Sequence, residues 1–541
     1  MSAERRPLLD IGMDLCQIQK LFDTNEERYN RIKTEVSKMI MTQVGLTMFQ
    51  YDRDHDTYVA TGYTFHLCPQ IFGDVDQSFI FQASTLKFLC RHNFNFNKFT
   101  YEGLPYLSKE EEVRVRQHLK DNQMFKNLTR MLDMDEEKLL QHYCSEVSKW
   151  LASKEEDTMY IDIDSPVLRY VVHNEIRLRF PEVLTTDSLG NSNKVLLYKD
   201  KYVDGANSAP MAILEENLMS HLLGFSQIIS LLESYKKPIM GHNIFLDTVL
   251  LHNQFIGPLP KKYSTFKRNI NNMFPNIYDT KYISHVMAKK LSFDEVWKSN
   301  ALQDLYEFFS EAKCRKLQNG VNLIKLSTPF DVKQSYHEAG WDSFCTVDVF
   351  RLMMMKQNQA HTVSLAFKAT RPKKMYFHAA DRWYCFIRLG HWAACENSGN
   401  YRPVGPTEVL SALAPFRSKV NIIRGAILYM DLADEDPPRQ RPELLHVRSL
   451  QERVLNVEKI ASLLAGLGSI DVKPYDSRSA LVAVGTQHTV DKILKQYRDS
   501  REYKISMYNV YRHSMQARMA VWGSAIITGS LLLYVLHKSV K

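Results

Sequence analysis

Two short stretches of this chain hold the residue types that metal-assisted hydrolysis needs. The first is Pro238-Ile-Met-Gly-His-Asn-Ile-Phe-Leu-Asp247. An apolar run of strand type ends in Gly241-His242-Asn243, and a helix should follow, which puts Asp247 about one turn inside it. That is near the carboxyl end of a strand, where open α/β sheets place their sites. The second is Tyr336-His337-Glu338-Ala339-Gly340-Trp341-Asp342, in which Asp342 starts an amphipathic helix running through Val347, Phe350, Leu352 and Met353. His337 sits on the turn feeding that helix. An aspartate can hold a hard cation, and an imidazole, which titrates near neutrality, can take a proton from water. Alone, each signal has an ordinary alternative: a helix-face Asp in a salt bridge or a cap, and a surface histidine.

The elements that must carry these residues form a mixed pattern. Thr42–Tyr51 and Tyr58–Cys68 are rich in β-branched and aromatic residues and flank a turn-like Asp-Arg-Asp-His-Asp, so two strands are expected there. Residues 84–98 and 109–155 should be helical. Leu168, Val171, Val172, Ile176 and Leu178 have helical spacing, and Lys194–Tyr198 reads as a short strand. A helical pattern from Ala212 to Tyr235 leads into the strand at 238–240. A further strand, Pro275–Asp279, and helices at about 300–312 and 338–357 follow. Beyond a loop-like stretch, Val420–Tyr429, Ala480–Val484 and Tyr503–Tyr508 read as strands, with helices at Gln451–Leu467 and Val490–Tyr497. Strands flanked by helices argue for an α/β fold with a mixed sheet.

The 541 residues have room for two or three domains. The formal charge of +8 suits a polyanionic partner without requiring one. None of the eight cysteines falls in a C-x-x-C pair or at zinc spacing, so they are read as reduced thiols. Met1–Asp10 has no apolar stretch fit for a secretory signal. Residues 519–536 carry no charge, with Arg512 and Arg518 before them and His537, Lys538 and Lys541 after. As a helix this run would be roughly 27 Å long. It is expected to be a tail anchor facing the cytosol, with the outer mitochondrial membrane favoured and the endoplasmic reticulum as the other option; the alternative is a buried terminal helix.

Taken together, many short segments carry a specific resemblance. Phe22-Asp-Thr-Asn-Glu-Glu-Arg-Tyr29, Gln43-Val-Gly-Leu46, Phe94-Asn-Phe-Asn-Lys98, Gly103-Leu-Pro-Tyr106, Gly224-Phe225-Ser226, Pro258-Leu-Pro260, Phe274-Pro275 and Asp279-Thr-Lys281 join the two stretches above. In this order they resemble the poly(A)-specific ribonuclease family, DEDD-type exonucleases with a histidine in the last motif. With the apolar C-terminal run, the chain is most similar to the membrane-anchored branch that trims piRNA 3′ ends. The resemblance implies a ribonuclease-H-like mixed sheet flanked by helices, a small inserted α/β nucleic-acid-binding unit, a C-terminal α/β domain and a C-terminal transmembrane helix. The implied domains are a nuclease domain in two parts, 1–145 and 206–370, split by an insert at 146–205. A linker at 371–408, an RNA-recognition-like domain at 409–512 and the anchor at 519–537 complete the set. The insert carries Arg169-Tyr-Val-Val-His173, similar to the Arg-x-x-x-His signature of a single-stranded nucleic-acid-binding fold, with Arg177 and Arg179 nearby. Such a unit would grip phosphates without reading bases.

The resemblance also implies the chemistry. Asp247 and Asp342 would hold two Mg²⁺ ions beside the scissile phosphate, and His337 would activate the attacking water. Asp279 either orients this shell or is purely structural. Lys281 either meets a phosphate or terminal base or is simply solvated. One departure stands out. The family opens with a strand carrying D-x-E, and no D-x-E precedes Phe22. Asp10 and Asp14 are the only nearby candidates, with Gly12 where the Glu should be, so Asp10 is the third expected metal ligand. The reading favours an N-terminally shortened product over a decayed site. The expected activity is a Mg-dependent 3′-to-5′ exoribonuclease that trims single-stranded RNA 3′ ends, including piRNA precursors. The expected partners are an adaptor or an Argonaute/PIWI-class protein, with a homodimer as a further option. A catalytically impaired RNA-binding scaffold and a general poly(A) deadenylase are the alternatives.

Overall fold

The computed structural model describes residues 20–52, 57–71, 75, 77–120, 132, 134–153, 157–187, 194–199, 211–289, 297, 299–310, 324–326, 336–349, 413–439 and 441–540. Asp10 and the linker expected at 371–408 lie outside them. Of the described residues, those within Lys33–Val420 belong to one compact unit; residues 20–32 and those from Asn421 onward belong to a second.

In the first unit, the alternating pattern around residue 50 gives β1 (Gln43–Asp52) and β2 (Thr57–His66), paired antiparallel from Gln43 opposite His66 to Asp52 opposite Thr57. The single helix expected at 84–98 is two, α1 (Ala83–Arg91) and α2 (Phe96–Glu102). Asn93 at φ 55° breaks the run, and the Asn95 side chain caps the second helix by accepting from Lys98 N at 3.0 Å. Helices α3 (Lys109–Lys120) and α4 (Met134–Ala152) follow. The domain boundary expected at 145/146 falls inside α4.

Three strands, β3 (Thr158–Asp162), β4 (Val183–Asp187) and β5 (Lys194–Lys199), make an antiparallel sheet in the order β3-β5-β4. Between β3 and β4 runs α5 (Pro166–Arg179), started by Ser165 accepting from Leu168 N and by Pro166 in the first turn. Leu168, Val171, Val172 and Ile176 pack into one core with Leu140, Cys144, Val147 and Trp150 of α4. Leu178, which shares their spacing in the sequence, is exposed instead.

The helical pattern of residues 212–235 breaks at Gly224 into α6 (Met211–Leu223) and α7 (Phe225–Tyr235). Gly224 sits at φ 39°, and a Cβ there would fall on the Pro105 carbonyl. There follow β6 (Ile239–Gly241), α8 (Phe245–Leu251), α9 (Tyr263–Met273), β7 (Ile277–Asp279), α10 (Thr280–Ala288) and α11 (Leu302–Ser310). Strand β8 (Ile324–Leu326) pairs parallel with β2, and a helix, α12, spans 339–349. Strands β6 and β7 are parallel, and β7 pairs with β9 (Lys419–Asn421). The whole is a mixed α/β fold.

Residues 420–429, expected as one strand, contain a turn instead, with β10 (Tyr429–Asp431) after it. The second unit then holds β11 (Leu445–Ser449), α13 (Val457–Ala465), β12 (Ile470–Asp476), β13 (Ser479–Val484), α14 (Gln487–Gln496) and β14 (Tyr503–Met507). Its antiparallel sheet has the order β12-β13-β11-β14, the β-α-β-β-α-β arrangement. On the face away from its core, His446 is ringed by Tyr475 and His513, with Tyr508 beside them.

The chain ends in α15 (Val510–His513) and α16 (Met515–Val540). The expected transmembrane helix is overturned here. Among the described residues no helix is long and apolar enough to cross a membrane. Gly523, Ser524, Thr528, Gly529 and Ser530 interrupt the apolar residues of α16, and Ser524 and Thr528 turn their hydroxyls back onto its own carbonyls.

Candidate active site

Asp247 lies in the first turn of α8, where the strand–turn–helix reading put it. The turn before it is tight: a Cβ on Gly241 would run into the Ile244 side chain, and Asn243 adopts φ 64°. Non-glycine residues rarely enter that region and need surrounding bonds to stay there. The bonds come from β7. The Asp279 carboxylate, fully buried, accepts from Asn243 N at 2.9 Å, Ile244 N at 3.1 Å and Lys281 N at 2.9 Å. One carboxylate thus fixes the turn before α8 and caps α10. Beside it, His242 donates from Nε2 to the Asn300 carbonyl at 3.1 Å. Burial pushes its pKa down to about 3, so it is neutral and structural.

Asp342 lies in the first turn of α12, and that helix is tied to the β1–β2 hairpin. Ala339 N donates to Gln43 Oε1 at 3.3 Å, the Thr64 hydroxyl donates to Glu338 Oε1, and the Thr47 and Ser343 hydroxyls bond each other. Glu338 Oε2 caps the helix by accepting from Trp341 N at 2.9 Å. Gly45 lets strand and helix meet, because a Cβ there would fall on the Ala339 carbonyl. His337 enters the helix at φ 72°, and its N–H donates to Asp342 Oδ1 at 3.4 Å. Both helices that carry an acid are therefore entered through a non-glycine residue in the left-handed region, a form of strain that clusters at functional sites.

Asp247, Asp342 and His337 line one cavity of about 700 Å³. Burial lifts the Asp342 carboxyl to about 7, with Glu338 adding to the rise. Burial also lifts Asp247, to about 6. Its carboxylate opens onto the cavity and is exposed there, so water screens much of that rise. Among the described residues neither has a lysine or arginine at ion-pair distance. Two carboxylates without a counterion facing one cavity are what a divalent cation stabilises. Hard cations such as Mg²⁺ take one or two protein carboxylates, with water and substrate phosphate completing the shell. Among the described residues no group of three or more His, Cys, Asp or Glu is placed to hold a metal.

His337 is pushed down to about 4, first by burial and then by His92. It is therefore neutral at physiological pH, the form that accepts a proton.

The remaining expected residues stand apart. Lys281 is half-buried at the start of α10, near enough to His242 to help lower its pKa, but does not line the cavity. His173 is completely buried in the core around α5, and Arg169 is half-buried near His221. A phosphate cannot reach His173 without local opening. Two contributors escaped the sequence reading. His242 was seen only as part of the Gly-His-Asn turn, and His92 lay in a helical stretch with nothing around it to mark it.

A family model described as CAF1 family ribonuclease matches residues 13–350. The chain is 58% identical to a pre-piRNA 3′-exonuclease trimmer of Bombyx mori, over 96% of this chain and 91% of that protein. It is 26% identical to one poly(A)-specific ribonuclease of Homo sapiens, over 96% and 93% of the two chains. A second from the same organism is 23% identical, over 92% and 74%.

Proposed function

We propose, for a chain that belongs to the CAF1 ribonuclease family and is a 3′-to-5′ exoribonuclease, that Asp247, Asp342 and His337 are the centre at which RNA 3′ ends are trimmed. The single observation carrying this is the convergence on one cavity of two carboxylates, without a counterion among the described residues, and a neutral imidazole, from stretches some ninety residues apart in the sequence.

In this reading Asp247 and Asp342 hold divalent metal, taken to be Mg²⁺. Bound there, the metal supplies charge stabilisation to the phosphate oxygens during displacement. The protein's own residues do the rest. Asp279 keeps the turn before α8 in the conformation that aims Asp247 at the cavity. The hairpin ties hold the first turn of α12, and with it Asp342. His337 accepts the proton of the attacking water. The nuclease domain, its insert with Arg169 and His173, and the C-terminal domain are assigned as the sequence divides them.

The substrate class in this reading is a single-stranded RNA with a free 3′ hydroxyl. The name of the Bombyx mori relative, a pre-piRNA 3′-exonuclease trimmer at 58% identity, extends it to piRNA precursors, and the reading adds an Argonaute- or PIWI-class partner that holds them. Mixed-sequence RNA and oligo(A) of equal length, each with and without such a partner, test the proposal. Trimming of mixed-sequence RNA at least as fast as oligo(A), accelerated by the partner, supports it. A strong preference for oligo(A) would make the chain a deadenylase instead.

A further inference from the structure

The ring of His337 packs against residues of another helix. His337 precedes α12 on a turn at φ 72°. The holding surface is on α1. The His92 ring packs against His337 at a tilt, with centroids 3.8 Å apart and planes at 41°. Phe88 presents its face edge-on to His337 at 5.4 Å and 85°, and touches His92 at 4.5 Å. His92 is itself anchored: as the C-cap of α1 its N–H reaches the carbonyls of Phe88 and Leu89, each at 3.2 Å. Phe88, one turn earlier, shares the same helix end. All three rings line the cavity that holds Asp247 and Asp342.

We infer that His92 is a positioning residue, whose ring, backed by Phe88, holds the His337 imidazole in place over the cavity. This rests on the reading of His337 as the group that takes the water's proton. Small misplacements of a reacting group are costly: 1 Å can take on the order of a hundredfold from a rate. A flat ring at this position should therefore suffice whatever its polar atoms. His92 acts only through His337, so its removal should matter only while His337 is present.

The test uses the full chain with single-stranded RNA bearing a 3′ hydroxyl, in Mg²⁺. His92→Ala should lower kcat by about tenfold to a hundredfold with KM little changed. Its melting temperature should stay within about 4 °C of the parent. His92→Phe should restore most of kcat. The double variant His92→Ala/His337→Ala should be no slower than His337→Ala. A second measurement needs no turnover. In the spectrum of histidine-labelled protein, the His337 resonance, identified by its loss in His337→Ala, should carry a ring-current displacement that His92→Ala removes and His92→Phe keeps. An unchanged His337 resonance in His92→Ala overturns the inference. So does a kcat equal to the parent's, or additive losses in the double variant. His92→Phe as impaired as His92→Ala overturns the ring-packing role. If His337→Ala itself trims RNA normally, it is the reading of His337 as proton acceptor that fails, while the resonance still decides whether His92 packs on it.

Discussion

Burying the Asp342 carboxyl beside Glu338 without a counterion has a measurable consequence for stability. Its pKa rises from 3.8 to about 7 on folding. The folded chain therefore holds the proton more tightly than the unfolded chain. Below pH 4 both forms are protonated and this group costs nothing. As pH climbs from 4 to 7 the unfolded carboxyl ionises first, and stability is lost progressively across that window. Above pH 7 the loss is complete, at most about 4 kcal/mol, with water in the cavity reducing it. Asp342→Asn, which mimics the protonated form, should abolish this pH dependence. In EDTA at pH 8 it should be the more stable protein, by roughly 2–4 kcal/mol, while trimming RNA far more slowly. Denaturant midpoints for both proteins at pH 5, 6, 7 and 8 in EDTA give the answer. Mg²⁺ should narrow the difference at pH 8 by binding only the carboxylate form. Curves that fall in parallel for the two proteins would refute the argument, because the carboxyl would then be ordinarily solvated.

Other perturbations probe the supports of the site. His337→Ala should lower kcat by about a hundredfold to ten-thousandfold, read in single-turnover trimming. Asp279→Ala leaves three N–H groups without their acceptor and should cost about 3 kcal/mol or more in denaturant unfolding. Because Asp279 holds the turn rather than the reacting atoms, the same variant should lose about 10- to 100-fold in activity where it remains folded. Gly45→Ala forces β1 away from α12 and should destabilise by roughly 1–3 kcal/mol in the same assay, with activity lost in step.

Much of this site was legible in sequence because its acids follow local rules. Asp247 comes one turn after an apolar strand and a Gly-His-Asn turn, and Asp342 comes early in an amphipathic helix, so spacing alone puts both near helix starts. What spacing does not carry is the long-range framework. Asp279 looked like one more strand-end aspartate; its three N–H partners lie partly in another loop, 35 residues away for Ile244. Gly45 and Thr47 read as ordinary strand residues, although they decide how closely α12 approaches. His92 shows no periodicity that would mark it, and its role depends on a turn some 245 residues later. The tail was misjudged for a different reason. Freedom from charge between basic flanks suggests a membrane span, but Gly523, Ser524, Thr528, Gly529 and Ser530 lower the apolarity of the helix.

The central claim is that Asp247 and Asp342 work together on the 3′ end of RNA, and a time course on 5′-labelled single-stranded RNA with a 3′ hydroxyl tests it most directly. The account predicts stepwise shortening in Mg²⁺, none in EDTA, and far slower shortening with Asp247→Asn or Asp342→Asn. Equal shortening by either variant, or cleavage that begins inside the RNA, would contradict it.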